Sequence, residues 1–426
     1  MRRNPRLLPL SCCDDVHRFG IVRLGRKIVG ERAAEIGGCA EGLVCATPTA
    51  VQEDGEALER ERDAARSVGI DVQETEHTEL PFEPFGALVL PEQAQVQPMS
   101  VLGALARQLR ERGGKIVEGC RVHDADVGPP SASLTIHTSA GSLTAEHCVL
   151  ATGTPILDRS LFFAKVEPSR SYVSAHRLLD RSPPQGMYVS VGTPSRSLRT
   201  ATGFDGEQLL IVGGPSEVVG RANDTTKRIR ELDRWTAEQF GNVRRITWWA
   251  AQDYRMHSRI PFAGAMPRGG GRIFAATGYN KWGMTNAVAA ALAISGEILG
   301  GNMEWAKVLR EGCMRVSGVT DALAANVEVA KYLVTGWASA EVARESKATA
   351  PAEGEGIVVS DGLSPVALSQ VDGKVCRLSA VCTHLGGVLR WNTAERSWDC
   401  PLHGSRFAAD GRLLEGPAVN DLPEAD

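Results

Sequence analysis

The chain has 426 residues, 43% of them hydrophobic, and a formal charge of -4; this is enough apolar material for about two or three buried cores and rules out a chain disordered throughout. Seven basic and 11 acidic side chains lie from Ser346 onward, leaving 40 of each sign before it, and no basic stripe able to neutralise a run of phosphates stands out, which argues against a nucleic-acid partner. No stretch reaches the ~18 consecutive apolar residues of a membrane span, and the start MRRNPRLLPLSCC is too short in its apolar part for a secretory signal, so the expectation is a cytoplasmic protein with no membrane span.

In chain order, FGIVRLGRKIVG spaces its glycines five apart at Gly20, Gly25 and Gly30, the wrong geometry for a pyrophosphate-binding turn. LGALARQLRERGG (Leu102 to Gly114) predicts a helix, and KIVEGCRVHDADV and SLTIHTSAGSLTAEHCVLATG predict strands ending in a glycine turn, which together indicate an α/β domain. SRSYVSAHRL and RRITWWAAQDYRMHSRIPFAGAMP predict a further sheet, with Trp248 and Trp249 as packing residues. A glycine turn then precedes an Ala-rich helix in ATGYNKWGMTNAVAAALAISGEIL (Ala276 to Leu299). By itself that pattern fits either close helix–sheet packing or contact with a cofactor.

The run TGWASAEVARESKATAPAEGEG, residues 335 to 356, is small and polar and predicts a linker, placed at 346–355 between a first region of 1–345 and a tail of 356–426. In the tail, VALSQVDGKVCRLSAVC alternates around Asp372-Gly373, a hairpin signal, and a second Asp-Gly follows at Asp410-Gly411. The tail therefore reads as a small all-β module. Its loops carry Cys382-x-His384 and Cys400-x-x-His403, whereas the other eight cysteines (Cys12, Cys13, Cys39, Cys45, Cys120, Cys148, Cys313 and Cys376) are scattered without C-x-x-C spacing and read as free thiols.

Structural zinc sites usually draw Cys pairs two to four residues apart around one ion, whereas here each loop offers one Cys and one His. One zinc on all four donors stays open. A two-iron cluster suits the pairing better, because one iron can take both thiolates and the other both imidazoles. With Thr383, Leu385, Gly386, Pro401, Gly404 and Ser405, the segment resembles the Rieske [2Fe-2S] family. That resemblance implies cluster ligation by Cys382, His384, Cys400 and His403, with the outer imidazole nitrogens exposed enough to titrate. It also implies that Gly387 and Leu402 stand where respiratory members carry a bridging disulfide, leaving Trp391, Trp398 and Val388 to hold the loops. Ser405 matches the family's hydroxyl donor to the cluster and Phe407 stands in place of its tyrosine; fewer hydrogen bonds imply a lower reduction potential.

The Ala276–Leu299 stretch resembles the C-terminal flavin-binding element of the D-amino acid oxidase-like FAD oxidoreductases. The family implies a helix N-terminus at the flavin ring, here Gly283, Met284, Thr285 and Asn286. VLATGTP places Gly153 beside the cofactor, and RVHDADV places Val122 near the adenine. The order of elements, from about residue 43 to the end, is similar to members fused to a Rieske domain. A substrate domain is expected at about residues 50–95 and 160–262. Within it Arg259 is a candidate carboxylate-binding cation, and Tyr254 and His257 are candidate proton handlers; surface or ordinary part-buried roles are the alternatives. No G-x-G-x-x-G lies in the first 50 residues, so the first βαβ unit is expected to be missing and FAD to bind weakly.

The fold expected is thus an incomplete FAD-binding Rossmann-like α/β domain with an inserted α+β substrate domain, plus a small all-β Rieske domain. The function expected is electron passage between a flavin and the cluster during oxidation of a small amine-like molecule, with an electron acceptor or donor protein as partner. The alternative is a non-catalytic Rieske electron-transfer protein with a degenerate flavin fold.

Overall fold

The computed structural model describes residues 42–45 and 52–425, except 92, 130–131, 158–160, 204, 302, 312–315, 343–349 and 362–363. The glycine-spaced segment at residues 20–30 and residues 346–349 of the expected linker lie outside the described residues.

In the flavoprotein region the helix Pro98–Glu111 starts on a proline at its first turn, where the missing N–H costs nothing, and ends before the left-handed Gly113 (φ 83°). Three antiparallel strands follow, Val122–Asp126, Leu134–Thr138 and Gly141–Ala145. The short strand Cys148–Leu150 then pairs in parallel with Ile273–Thr277, which pairs antiparallel with Phe262–Ala265. Ile273–Thr277 is buried throughout, the pattern of a strand covered on both faces. The Ala-rich helix Gly283–Ile298 lays Ala289, Ala290, Ala293 and Ile294 against Phe274 and Ala276, and its small side chains permit that close approach.

The expected substrate region forms an eight-stranded sheet; Gly42–Cys45 pairs in parallel with Met187–Ser190, and the other pairings are antiparallel. Its two longest strands, Val166–Leu178 and Val243–Met256, pair along nearly their whole length. Val166–Leu178 alternates buried and part-exposed residues, as a sheet with one covered face requires. The helix Thr226–Phe240 covers one face, packing Leu232 and Phe240 on Tyr188, Leu198, Leu210 and Val212. Trp249, expected as a packing residue, is 41% exposed, because the strand that carries it is an edge of the sheet.

The tail is all β. Gly356–Asp361, Ser364–Val371 and Lys374–Ser379 form one antiparallel sheet, turning at Asp372 (φ 52°) and Gly373 (φ 74°) as the Asp-Gly pair predicts. Arg390–Asn392, Ser397–Asp399, Arg406–Ala408 and Leu413–Glu415 form a second. The expected linker needs correction at its start: the helix Val316–Val342 runs through residues 335–342. This Ala-containing stretch is helical because the tail packs on it, with Gly336 against Val388 and the Trp337 indole N–H donating to the Gly386 carbonyl at 3.1 Å. Among the described residues no helix is long and apolar enough to cross a membrane.

The tail also docks on the flavoprotein region through buried charge. Arg170 of Val166–Leu178 donates to both carboxylate oxygens of Glu395 and pairs with Glu415 at 3.2 Å, while Arg406 pairs with Asp399 at 2.9 Å and Glu395 at 3.2 Å. Removing Arg170 takes away one of the two cations that Glu395 and Glu415 share and leaves both to Arg406, so Arg170→Ala is expected to destabilise the protein by about 1–3 kcal/mol. Denaturant unfolding checks this, and a change below about 1 kcal/mol would contradict it.

His176, 1% exposed on the same strand, bonds Ser174 Oγ at 2.8 Å and sits 3.9 Å from Asp233. Burial, aided by the nearby Arg245, lowers its pKa from 6.5 to about 4. The unfolded chain therefore binds a proton that the folded chain refuses as pH falls from 6.5 to about 4. Stability should drop across that window by up to about 3 kcal/mol. His176→Phe should flatten this part of the profile of melting temperature against pH.

Candidate functional site: the cysteine–histidine loops and their docking face

The two loops that carry the four donors are built alike. In the first, the Cys382 N–H donates to Gly387 and the Cys382 carbonyl accepts from Gly386 N–H at 3.0 Å; in the second, Cys400 N–H donates to Ser405 and its carbonyl accepts from Gly404 N–H at 3.1 Å. The fourth residue after each cysteine has positive φ, 72° at Gly386 and 79° at Gly404, which explains the glycine at that spacing in both loops.

Both cysteines are buried in the tail's core beside Leu389, Trp398, Leu402 and Phe407. Their thiols hydrogen-bond each other. The Cys400 thiol, the His384 and Leu385 N–H groups and the Ser405 hydroxyl stabilise a thiolate at Cys382 and bring its pKa to about 7 against the opposing effect of burial. The proton shared with Cys382, together with burial, pushes Cys400 up, against the Leu402 and His403 N–H groups. The structure thus gathers N–H donors at both sulfurs and the Ser405 hydroxyl at Cys382, and the two thiols together hold one negative charge most readily at Cys382.

The imidazoles of His384 and His403 lie edge to face with centroids 5.2 Å apart. Among the described residues no three His, Cys, Asp or Glu side chains form a single-ion site; the donors come as a thiol pair and an imidazole pair. His403 Nδ1 is buried without a hydrogen-bond partner. The expectation that the outer nitrogens of both rings are exposed enough to titrate is corrected for His403, which is 7% exposed; His384 is part-buried, and Phe163 of the flavoprotein region stands against both rings.

Gly387 and Leu402 do face each other: a Cβ on Gly387 would lie 2.6 Å from Leu402 Cδ1 and 3.1 Å from Cys400 Sγ. Trp391 meets Trp398 edge to face at 4.8 Å, Trp398 is fully buried and Val388 is 6% exposed. Ser405 Oγ accepts the Ala418 N–H at 3.0 Å, and Phe407, paired across the sheet with Trp398, adds no hydroxyl.

On the flavoprotein side, Val122 opens its strand and packs on the cluster containing Leu150, while Gly153 follows the strand Cys148–Leu150 in a left-handed turn (φ 75°). Thr277 Oγ1 donates to the Gly153 carbonyl at 2.5 Å. Gly283–Asn286 form the first turn of their helix with no capping side chain, and Trp282 and Met284 beside it are 40% and 42% exposed. Thr285 and Asn286 are turned inward: the Thr285 hydroxyl donates to the Trp282 carbonyl at 3.2 Å and the Asn286 amide to Tyr279 at 3.3 Å, so both brace the turn.

The three substrate-side candidates separate. Arg259 is in the left-handed region (φ 61°), its side chain 68% exposed and 3.9 Å from Asp321, on the surface rather than in a carboxylate pocket. His257 is buried, and that burial lowers its pKa. Tyr254 is buried against Gly153, and burial pushes its phenol up, so it stays protonated at neutral pH. The Gln252 amide nitrogen reaches the Tyr254 hydroxyl at 2.8 Å and donates to the Gly404 carbonyl at 2.9 Å.

Sequence reading passes over several residues that build this face. Gly220 (φ 69°) approaches the second loop so closely that a Cβ would lie 2.8 Å from Pro401 N. Arg221 donates to the Pro401 carbonyl at 3.1 Å while lying over the Tyr332 ring. Pro168 fills the space against Gly404. None has a local sequence signal, because each is defined by what a distant loop brings to it. Gly220→Ala and Gly387→Ala should each force a neighbouring loop to move, costing about 1–3 kcal/mol. Thermal unfolding reads the cost, and unchanged melting temperatures would refute these contacts.

The model of the Rieske [2Fe-2S] domain matches residues 337–426, and that of the FAD dependent oxidoreductase (DAO) family matches residues 13–296. The latter match starts well before residue 43, where the sequence resemblance was expected to begin. YhfW of Bacillus subtilis (strain 168), named as a Rieske 2Fe-2S iron-sulfur protein, is 30% identical over 387 residues, 90% of this chain and 74% of its own. The cytochrome b6-f complex iron-sulfur subunit of Synechococcus sp. (strain JA-2-3B'a(2-13)) is 53% identical over 45 residues, 11% of this chain and 26% of the subunit. Among solved structures, L-proline dehydrogenase from P. horikoshii superposes with a TM-score of 0.56 at 16% identity, covering 70% of this chain and 83% of that one. Glycine oxidase from Geobacillus kaustophilus does so at 0.54 and 17%, with the same coverage. Two-thirds of the sequence fits one family and the donor-bearing tail another, so the chain belongs to the FAD-dependent oxidoreductase (DAO) family and carries a Rieske [2Fe-2S] domain.

Proposed function

We propose that the protein is an iron–sulfur flavoenzyme that oxidises a small amine-like molecule and passes the electrons singly through its cluster to an external one-electron acceptor protein. The observation that carries this reading is the Gln252 bridge. One amide nitrogen contacts both the Gly404 carbonyl, beside His403, and the Tyr254 hydroxyl, whose ring packs on Gly153 at the flavin-side turn. The cluster loop and the flavin-side turn are thus joined by two side chains, a short path for electrons.

The residues present fit both groups. Paired buried thiols surrounded by N–H donors and an imidazole with an orphaned buried Nδ1 are the donors a two-iron cluster uses, Cys382 and Cys400 on one iron and His384 and His403 on the other. The uncapped first turn at Gly283 offers N–H groups to the negative end of a flavin ring, flanked by exposed Trp282 and Met284. When bound, the flavin removes two electrons from a C–N unit, and the cluster relays them one at a time. Tyr254, held protonated, keeps Gln252 oriented rather than serving as a base. The substrate class follows the structural relatives, an L-proline dehydrogenase and a glycine oxidase.

Purified protein should contain two irons and two acid-labile sulfides per chain and, given excess FAD to offset the weak binding expected from the sequence, should take up one flavin, after which an amine substrate should bleach the cluster's visible bands. One zinc without sulfide would end the cluster assignment; cluster without flavin would favour the electron-transfer alternative. His384→Ala and His403→Ala should each abolish the cluster. Ser405→Ala, removing the hydroxyl bonded to Cys382, should lower the potential, by roughly 60 mV if that bond favours the reduced cluster tenfold.

A further inference from the structure

One member of the imidazole pair, His403, is 7% exposed, and the other, His384, is part-buried. Phe163 lies edge to face on His384 at 5.3 Å and on His403 at 4.8 Å, so one ring from the flavoprotein region covers both members. Its position is built from both sides. Leu161 is held in the left-handed region (φ 54°), a conformation that costs a non-glycine residue energy and persists only where surrounding structure fixes it. The turn it opens, Phe162–Ala164, sends Phe162 inward onto Phe262 at 4.8 Å and leaves Phe163 pointing at the tail. Asn326 of the long helix donates to the Ala164 carbonyl at 3.0 Å, and His257 N–H donates to Lys165 at 3.1 Å, fixing the far end of the turn. Beneath the ring the second loop is held by Pro168 at Gly404 and by Gly220 at Pro401, contacts too close for any added carbon.

We propose that Phe163 is a positioning residue that packs the histidine edge of the cluster against the flavoprotein half, so that this edge receives electrons within the chain and leaves only the part-exposed His384 side open to an outside acceptor. The proposal rests on the ligand assignment given above. A ring that touches both imidazoles fixes their orientation and excludes water from His403 at once. Its neighbours also explain why the contact is aromatic: a flat side chain fits between two rings that meet nearly at right angles (84°).

The test uses the full cluster-loaded chain and diethylpyrocarbonate, which carbethoxylates accessible imidazole nitrogens, with the sites read by mass spectrometry. In the unsubstituted protein His403 should react slowly, and His384 more slowly than the exposed His77. Phe163→Ala should raise the rate at both by roughly tenfold or more, since modification no longer waits for the halves to part. It should also shift the cluster's electron paramagnetic resonance spectrum, and Phe163→Tyr should restore both readouts. Rapid modification of His384 and His403 in the unsubstituted protein would overturn the proposal whether or not any variant folds. So would an alanine variant indistinguishable from the parent. Missing iron, sulfide or flavin would instead count against the proposed function, so the two readings fail separately.

Discussion

Arg170 is the interaction on which the arrangement of the two halves depends. It leaves a long strand of the eight-stranded sheet, is 4% exposed, and ends among Glu395 and Glu415 of the tail, with Arg406 and Asp399 completing the group. Burying two guanidiniums and three carboxylates is costly unless every partner is in place. Such a group tolerates few geometries, so it selects one seating of the tail where an apolar contact would accept several. The tail is therefore not a free module on a tether, and the helix that runs into the expected linker adds its own contacts to the same seating.

With that seating fixed, close packing does the rest. Gly220 and Gly404 bring backbone from the two halves together at points where no side chain fits. Their contacts lie on either side of the second cluster loop, so that loop cannot shift without disturbing the other half. Gln252 and Tyr254 occupy the gap between, and Phe163 packs against the imidazole side. A cluster held this way would keep a constant distance from the turn at Gly153, at the expense of the freedom a tethered carrier would have.

Inside the tail, the loops are stabilised by apolar contact where related loops have a covalent bridge. Leu402 rests on Gly387, and Trp398 and Phe407 back the thiols. Nothing in this arrangement depends on an oxidised cysteine pair, and the sulfur donors stay available for metal. The thiol environment is set first by the contact of the two thiols with each other, and then by burial, the Ser405 hydroxyl and the backbone N–H groups that the shared turn geometry of the two loops presents.

The donor set, the all-β tail with its Asp-Gly hairpin and the glycine turn before the Ala-rich helix were legible because each is a local pattern. Ligand spacing, turn residues and helix composition act over a few consecutive positions, and the sequence by itself determined them. It also marked Gly387 and Leu402 as a pair, although only the folded chain puts one on the other. The roles of Phe163, Arg170, Gly220, Arg221 and Gln252 were decided by tertiary structure alone. Each is an ordinary residue in its own strand or turn and acquires a role only from a loop some 140 to 240 positions away. Tyr254 shows the limit from the other side: the sequence marks a tyrosine near the flavin region, but burial against Gly153 and its bond with Gln252 make it a brace rather than a base. Burial and partnership are properties of the assembled halves, and no local pattern encodes them.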